Sequence, residues 1–298
     1  MELRQFEYFQ RVCRFNNITR AAESLHVAQP SITNSIRKLE DELGVILLDR
    51  SKKQIKPTTE GKVFLERINN ILRLVEDTSI EMKDYRLLKK GNLKIGIPPM
   101  IGTYLFPYIF VNFKNLYPQI KLSIYEKGSL ETRIMIEKGD LDLGIVIISE
   151  SSKQLETMAI SQSEILVCLD KNHHLCKKEA LKFEDLKDEP LIMLKEGFYH
   201  RQKIMDYFKE YNIDPNIVLS SNQLQTIKSL VIQGVGISFL LQEIVENDNR
   251  IVSIPLEKSM KVRIGLAWKK DRYLSNASKG FIEFITSSFG NSVIESSK

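Results

Sequence analysis

Between residues 19 and 43 the apolar positions fall at helical spacing in two short blocks. Ile32, Ile36, Leu39 and Leu43 recur at intervals of four, three and four, which is one face of a helix. The opposite face carries Gln29, Ser31, Thr33, Asn34, Arg37 and Lys38. Pro30 suits the first turn, where a missing N–H costs nothing, and Gly44 suits the left-handed residue that ends the helix. Ahead of it, Thr19–Leu25 reads as a shorter helix capped by Thr19, with His26, Val27 and Ala28 as the turn. Leu3–Phe15 is an earlier helix whose Leu3, Phe6, Phe9 and Val12 pack behind both. Val45–Leu48 reads as a short strand, followed by Arg50, Lys52, Lys53 and Lys56, four cations within seven residues. A helix with a dry back and a polar, cationic front, braced by a second helix and flanked by a basic hairpin, is a winged helix-turn-helix.

From Thr59 to about Lys90 the only glycine is Gly61, and there is no proline. Phe64, Ile68, Ile71, Val75, Thr78, Met82 and Tyr85 alternate at four and three, a heptad seam along a helix about 45 Å long. So long a seam exceeds what a domain of about sixty residues can cover. The expectation is a second copy of the helix, hence a dimer presenting two recognition helices to a pseudo-palindromic site.

After Gly91 the pattern becomes strand–helix alternation. Strands are expected at 93–97, 121–126 and 143–148, with helices at 104–117 and 130–138 between them. A second set has strands at 165–169, 191–194, 217–220, 237–240, 251–254 and 262–268. Its helices fall at 200–211 and 226–233, and the chain closes with a helix at 280–289. These are two successive α/β units with a mostly parallel sheet. Neither carries a phosphate loop, a dinucleotide glycine pattern or a nucleophile elbow, so no catalytic residue and no cofactor is expected.

Composition narrows the picture a little. The net charge is +5, of which residues 1–90 hold +4 and residues 91–298 hold +1, so the basic excess lies with the helix-turn-helix. No apolar run is long enough to span a membrane, and the N-terminus has no signal-peptide pattern. Three cysteines, Cys13, Cys168 and Cys176, are too few for a disulfide framework, and a reducing cytoplasm is the expected setting. Cys168, His173, His174 and Cys176 lack the paired spacing of a zinc site, so no metal is expected.

The opening MELRQFEYFQRVCRFNNITRAAESLHVAQPSITNSIRKLEDELGVILLDR resembles the N-terminal domain of LysR-type transcriptional regulators. KPTTEG, LKIGI, GDLDLGIVI and GVGISFL resemble later pieces of the same family. The resemblance implies an α/β chain with an N-terminal all-α-type winged helix-turn-helix and a C-terminal two-lobed periplasmic-binding-protein-like domain. The expected divisions are residues 1–58 for DNA binding, 59–90 for the dimerisation helix, and 91–298 for effector binding. In the last of these, lobe I is 91–162 and 267–298, and lobe II is 163–266. The function implied is a cytoplasmic, sequence-specific transcriptional regulator, a homodimer or homotetramer that works on double-stranded DNA and with RNA polymerase. Gln29, Pro30, Ser31, Thr33 and Asn34 would face bases, while Arg37, Lys38, Arg50, Lys52 and Lys53 would hold phosphates.

Ligands of open parallel sheets bind beyond the carboxyl ends of strands. That rule selects Pro99, Met100, Thr103, Ser129, Ile147, Phe198, Tyr199 and Asn222 as effector contacts. Helix N-termini at Thr103, Ser129 and His200 would turn free N–H groups to an anion. Many relatives have Ser or Thr where this chain has Pro98-Pro99-Met100. Together with Phe198 and Tyr199, this points to an organic anion with apolar or aromatic parts. The alternative is a redox sensor using Cys168 and Cys176. The family's peroxide sensor has its reactive cysteine in a segment resembling MLKEGFYHRQK, where this chain has Tyr199.

Asn34 stands where some relatives have Arg. Asn pairs best with adenine and Arg with guanine. Asn34→Arg is therefore expected to shift the base preferred at one operator position from A to G. Selection from random-sequence DNA reads the change, and an unaltered preference would refute the assignment.

Overall fold

The computed structural model describes residues 1–50, 55–84, 91–148 and 152–289. By contacts the chain divides into two units, Met1–Arg86 and Leu87–Lys298.

The first unit begins with α1 (Leu3–Phe15), α2 (Ile18–Leu25) and α3 (Gln29–Leu43). Thr19 is not the cap of α2. Asn17 is, its side-chain oxygen accepting from Arg20 N at 3.0 Å, while the Thr19 hydroxyl lies one turn on and donates to Gln29 Oε1. His26 takes the turn with a left-handed φ of 53°, and Gly44 ends α3 at φ 68°. Ile32, Ile36 and Leu39 are fully buried with Phe9, Val12 and Ala21, so the dry back of α3 seals the core. The strand expected at 45–48 is displaced. Val45 and Ile46 are exposed, and β1 (Leu48–Asp49) pairs antiparallel with β2 (Lys56–Pro57). Lys52 and Lys53 lie outside the described residues.

The long helix α4 runs Thr59–Asp84. Gly61 is required at its start, because a methyl group there would meet the Leu47 carbonyl oxygen at 2.1 Å. The seam serves two surfaces rather than one. Phe64 packs edge-on against Phe6 and Phe9, and Ile68 is buried in the same core. Ile71, Val75 and Met82 remain exposed, together with Leu74. Tyr85 lies outside the described residues.

The second unit opens with β3 (Gly91–Ile97), α5 (Pro99–Tyr104), α6 (Phe106–Leu116), β4 (Ile120–Glu126), α7 (Ser129–Lys138) and β5 (Leu143–Ile148). The helix expected at 104–117 is two helices joined at Leu105, and Pro107 suits the start of the second. The strand expected at 165–169 is part of β6, sixteen residues from Leu155 to Asp170. There follow β7 (Leu191–Leu194), α8 (Tyr199–Glu210), β8 (Ile217–Ser221), α9 (Leu224–Ile232), β9 (Ser238–Leu241), α10 (Gln242–Val245), β10 (Ile251–Ile254), β11 (Met260–Lys269) and α11 (Asn276–Phe289).

The main sheet has the order β10-β6-β11-β5-β3-β4, with β9 also on β6. It is less parallel than the alternation suggests. β3 pairs parallel with β4 and β5, and β7 with β8, but β6 meets β9, β10 and β11 antiparallel. One lobe gathers β3–β5, α5–α7 and α11, and the other gathers β7–β10 and α8–α10. The paired strands β6 and β11 belong to both. A single apolar core continues through both lobes.

Phe113 is a keystone of the first lobe. Its ring lies 4.9 Å from Tyr117 and Phe281 and 5.7 Å from Phe284, which ties α6 to α11. Phe113→Ala is expected to lower unfolding stability of this unit by about 3–5 kcal/mol. Urea titration of the full chain measures this, and a loss under about 1 kcal/mol would contradict it.

Candidate functional site

In the first unit, the front of α3 is open. Gln29, Pro30, Ser31, Asn34, Arg37 and Lys38 are exposed, and Thr33 is half-buried with its hydroxyl donating to the Gln29 carbonyl at 3.2 Å. Neutral hydrogen-bonding side chains occupy the N-terminal turns, with two cations behind them. This fits a helix whose N-terminal residues read base edges. Arg50 is placed differently from the other cations. Its guanidinium meets Glu40 Oε2 at 2.7 Å, and Glu40 Oε1 accepts from Leu47 N and Leu48 N at 2.9 and 3.1 Å. Glu40 thus fastens the strand after α3, with Arg50 as part of that clasp.

In the second unit, the strand ends converge at two loops. The segment before α7 meets the segment before α8 so closely that a methyl on Gly128 would lie 2.2 Å from the Gly197 carbonyl oxygen. Gly197 has φ +93°, which favours glycine. Ser129 is buried, and its Oγ accepts from Ile147 N at 2.8 Å. Met100, Ile147 and Phe198 are buried in one core, Pro99 and Tyr199 are half-buried, and Thr103 and Asn222 are exposed.

The expected N-terminal anion sites are altered at each position. Thr103 is in the last turn of α5, where its hydroxyl donates to the Pro99 carbonyl at 2.9 Å. The start of α7 is faced by the Gly197 carbonyl. Arg201, in the first turn of α8, donates to Leu194 O at 2.6 Å and Ser220 Oγ at 3.0 Å. Beside it His200 is 3% exposed, edge-on to Phe198 at 6.0 Å. Burial first, and then the Arg201 charge, pushes its imidazole down to about 3.

The sequence reading passed over a polar cluster where α5, β6 and α10 meet. Ser163 Oγ donates to Glu243 Oε2 at 2.5 Å. The Tyr104 and Ser161 hydroxyls are buried near one another without a hydrogen bond of sound geometry. Burial, and next the Glu243 carboxylate, raise the Tyr104 phenol above its usual range. The signal in the sequence was small, a Ser-Gln-Ser stretch inside an otherwise apolar strand.

The cysteines are free and dispersed. Burial pushes Cys168 and Cys13 up to about 12, and burial followed by Asp170 raises Cys176. Among the described residues, the group close enough to hold a cation is His173, His174 and Glu189, with no cysteine in it. The two Nε2 atoms each lie 3.2 Å from a Glu189 oxygen, and the rings stack at 4.6 Å. His173 Nδ1 accepts from Leu175 N, which leaves the proton of a neutral ring on Nε2, facing Glu189. The contact therefore reads as a hydrogen bond rather than a ligand set.

Comparison with known proteins decides the family. The family model "Bacterial regulatory helix-turn-helix protein, lysR family" matches residues 3–62, and "LysR substrate binding domain" matches residues 88–290. The chain belongs to the LysR family of transcriptional regulators. This LysR-type regulator is 30% identical over 286 residues to the HTH-type transcriptional regulator YwbI of Bacillus subtilis, covering 95% of each chain. It is 28% identical over 273 residues to the DNA-binding transcriptional dual regulator OxyR of Escherichia coli, covering 90% of each. A full-length OxyR from Pseudomonas aeruginosa shares its fold at a TM-score of 0.69 and 24% identity, covering 96% of this chain and 95% of that one. Full-length CbnR, solved with its target DNA, does so at 0.67 and 23%, covering 97% and 100%. This LysR-type regulator is thus a DNA-binding protein with a substrate-binding domain. Among its described residues no helix is long and apolar enough to cross a membrane.

His200 makes a pH dependence. The unfolded imidazole titrates near 6.5, and the folded one near 3, so between these values the unfolded chain binds the extra proton. Stability from this group is complete above about pH 6.5. It is expected to fall by about 1.4 kcal/mol per pH unit below that. Asp248, held well below the usual carboxylate range by hydrogen bonds from Arg250 and then Lys228, adds a loss only at lower pH. Urea unfolding between pH 7 and 5 tests this. His200→Leu is expected to flatten the slope over that window, whatever its absolute stability, and an unchanged slope would refute the cause.

Proposed function

We propose that this regulator binds a pseudo-palindromic operator as a homodimer or homotetramer and is switched by a small molecule held between the lobes of its second unit. The observation that carries the reading is the exposed front of α3 over a sealed back. Gln29, Pro30, Ser31, Thr33 and Asn34 face bases; Arg37 and Lys38 hold phosphates, assisted by Lys52 and Lys53 of the wing. The exposed stripe Ile71, Leu74, Val75 and Met82 on α4 is the surface that pairs two copies. The effector contacts are Pro99, Met100, Ser129, Ile147, Phe198 and Tyr199, with Thr103 and Asn222 at the exposed margin. Effector binding shifts lobe closure, and the oligomer passes this to the spacing of its DNA-binding units. The setting is the cytoplasm, with RNA polymerase as a further partner.

A second reading, redox sensing through Cys168 and Cys176, is favoured by likeness to OxyR. The thiolate is the reactive form, and both thiols are held protonated by their surroundings. The small-molecule reading is the stronger.

An operator selected from random-sequence DNA provides the test. Arg37→Ala and Lys38→Ala are each expected to weaken binding uniformly across sequences and to reduce the slope of log affinity against log salt by about 1. Fluorescence anisotropy across a salt series reads this. Slopes equal to the parent's would remove these residues from the phosphate contacts.

A further inference from the structure

We propose that the cleft takes an uncharged, largely apolar molecule with a single hydrogen-bonding group, such as a phenol, an aromatic alcohol or an aromatic amide, and excludes organic anions. This rests on the reading of the cleft as the effector site, and it replaces the anion that the helix N-termini suggested.

Each place where an anion would be held is already spent. The helix α5 opens on Pro98 and Pro99, which have no N–H to give, and it is only six residues long. At the start of α7 the nearest group from the facing lobe is the Gly197 carbonyl, whose oxygen presents negative charge where a carboxylate would have to lie. Ser129 Oγ already accepts from Ile147 N, so it has one O–H left to donate. Arg201 donates to Leu194 O and Ser220 Oγ. Lys127, on the loop leading into α7, is paired with Glu131 at 2.9 Å.

The charges around the strand ends point the same way. Segments 98–103, 126–131, 147–150, 195–201 and 222–225 together contain three Lys or Arg and four Asp or Glu. A carboxylate moved out of water into this setting loses hydration without a free cation in return, which is costly. An ammonium group fares no better, because the buried contacts Met100, Ile147 and Phe198 offer no carboxylate. These side chains do suit an apolar or aromatic body. One polar group is catered for twice, by the Ser129 O–H and by His200, whose buried neutral ring receives no hydrogen bond among the described residues. A neutral imidazole offers one donor and one acceptor.

The test uses the full-length protein and a thermal-shift screen of several hundred metabolites containing matched pairs: phenol with benzoate, indole with indole-3-acetate, benzyl alcohol with phenylacetate, and benzamide with benzylamine. The expected result is that the compounds raising the melting temperature are uncharged and bind at least 10-fold tighter than their charged partners. Ser129→Val is expected to weaken the best neutral compound at least 10-fold, which places it in the cleft. If the binders are carboxylates or amines, the ligand class is overturned while the effector reading stands. If Ser129→Val leaves a neutral binder's affinity unchanged, this cleft is not its site and the proposal falls. If no compound of any charge binds, the effector reading falls and the ligand class falls with it.

Discussion

The pairing of β6 with β11 is the constraint on which the second unit rests. The two strands run side by side for ten residue pairs, from Met260 opposite Ile165 to Lys269 opposite Leu155, with one irregularity at Ile264 and Gly265. Every other piece of the unit hangs on one of these strands. β5, and through it β3 and β4, attaches to β11; β9 and β10 attach to β6. The irregularity falls where the chain has a glycine because nothing larger fits. A methyl on Gly265 would lie 2.4 Å from Ile148 Cδ1 and 2.5 Å from the Met158 carbonyl oxygen. Two strands joining two lobes leave bending of the ladder as the cheap motion, and a bulge increases local twist at the point where it is needed.

The contact between Gly128 and Gly197 sits at the opposite extreme. It is a touch of two backbones with no side chain between them, so it closes the cleft without adding grip. Closure here depends on what fills the space behind the loops. That is the condition for a ligand to govern the angle between lobes, since a ligand shifts an equilibrium only by its difference in affinity for the two states. A strong side-chain clamp at the mouth would have held one state regardless of ligand.

Much of this was legible in the sequence, and the failures share a cause. The recognition helix was readable because its period, proline and terminal glycine are local signals, and each agrees with the burial of Ile32, Ile36 and Leu39. Asn17 and Thr19 are both good caps two residues apart, and only the packing of α2 chooses between them. The heptad on α4 announces a buried stripe but not whose core buries it. Phe64 and Ile68 serve their own unit, and Ile71 onward does not. β6 was cut short because Ser161, Gln162, Ser163 and Glu164 break its apolar run. Those residues are polar because the strand there leaves one lobe for the other and meets α10 instead of a hydrophobic layer. The strand-end rule located the cleft loops, yet it could not show that Arg201 turns away or that Gly197 covers α7. Both are contacts between segments far apart in sequence.

The chemistry of the cleft and the strength of the switch are linked. A ligand present at 100 times its dissociation constant contributes about 2.7 kcal/mol to the state it binds. That is enough to move a two-state equilibrium from roughly one in ten to nine in ten when the other state binds it poorly. An apolar ligand against Met100, Ile147 and Phe198 makes that distinction well, because these contacts need both lobes: Met100 and Ile147 from one, and Phe198 from the other. With the lobes apart, part of the same surface faces water, and the contact area is lost. A carboxylate held at a single helix N-terminus would bind one lobe almost equally well in either state and shift little. The absence of free cations among the described cleft residues is then consistent with a device in which burial between lobes, rather than charge on one of them, carries the response.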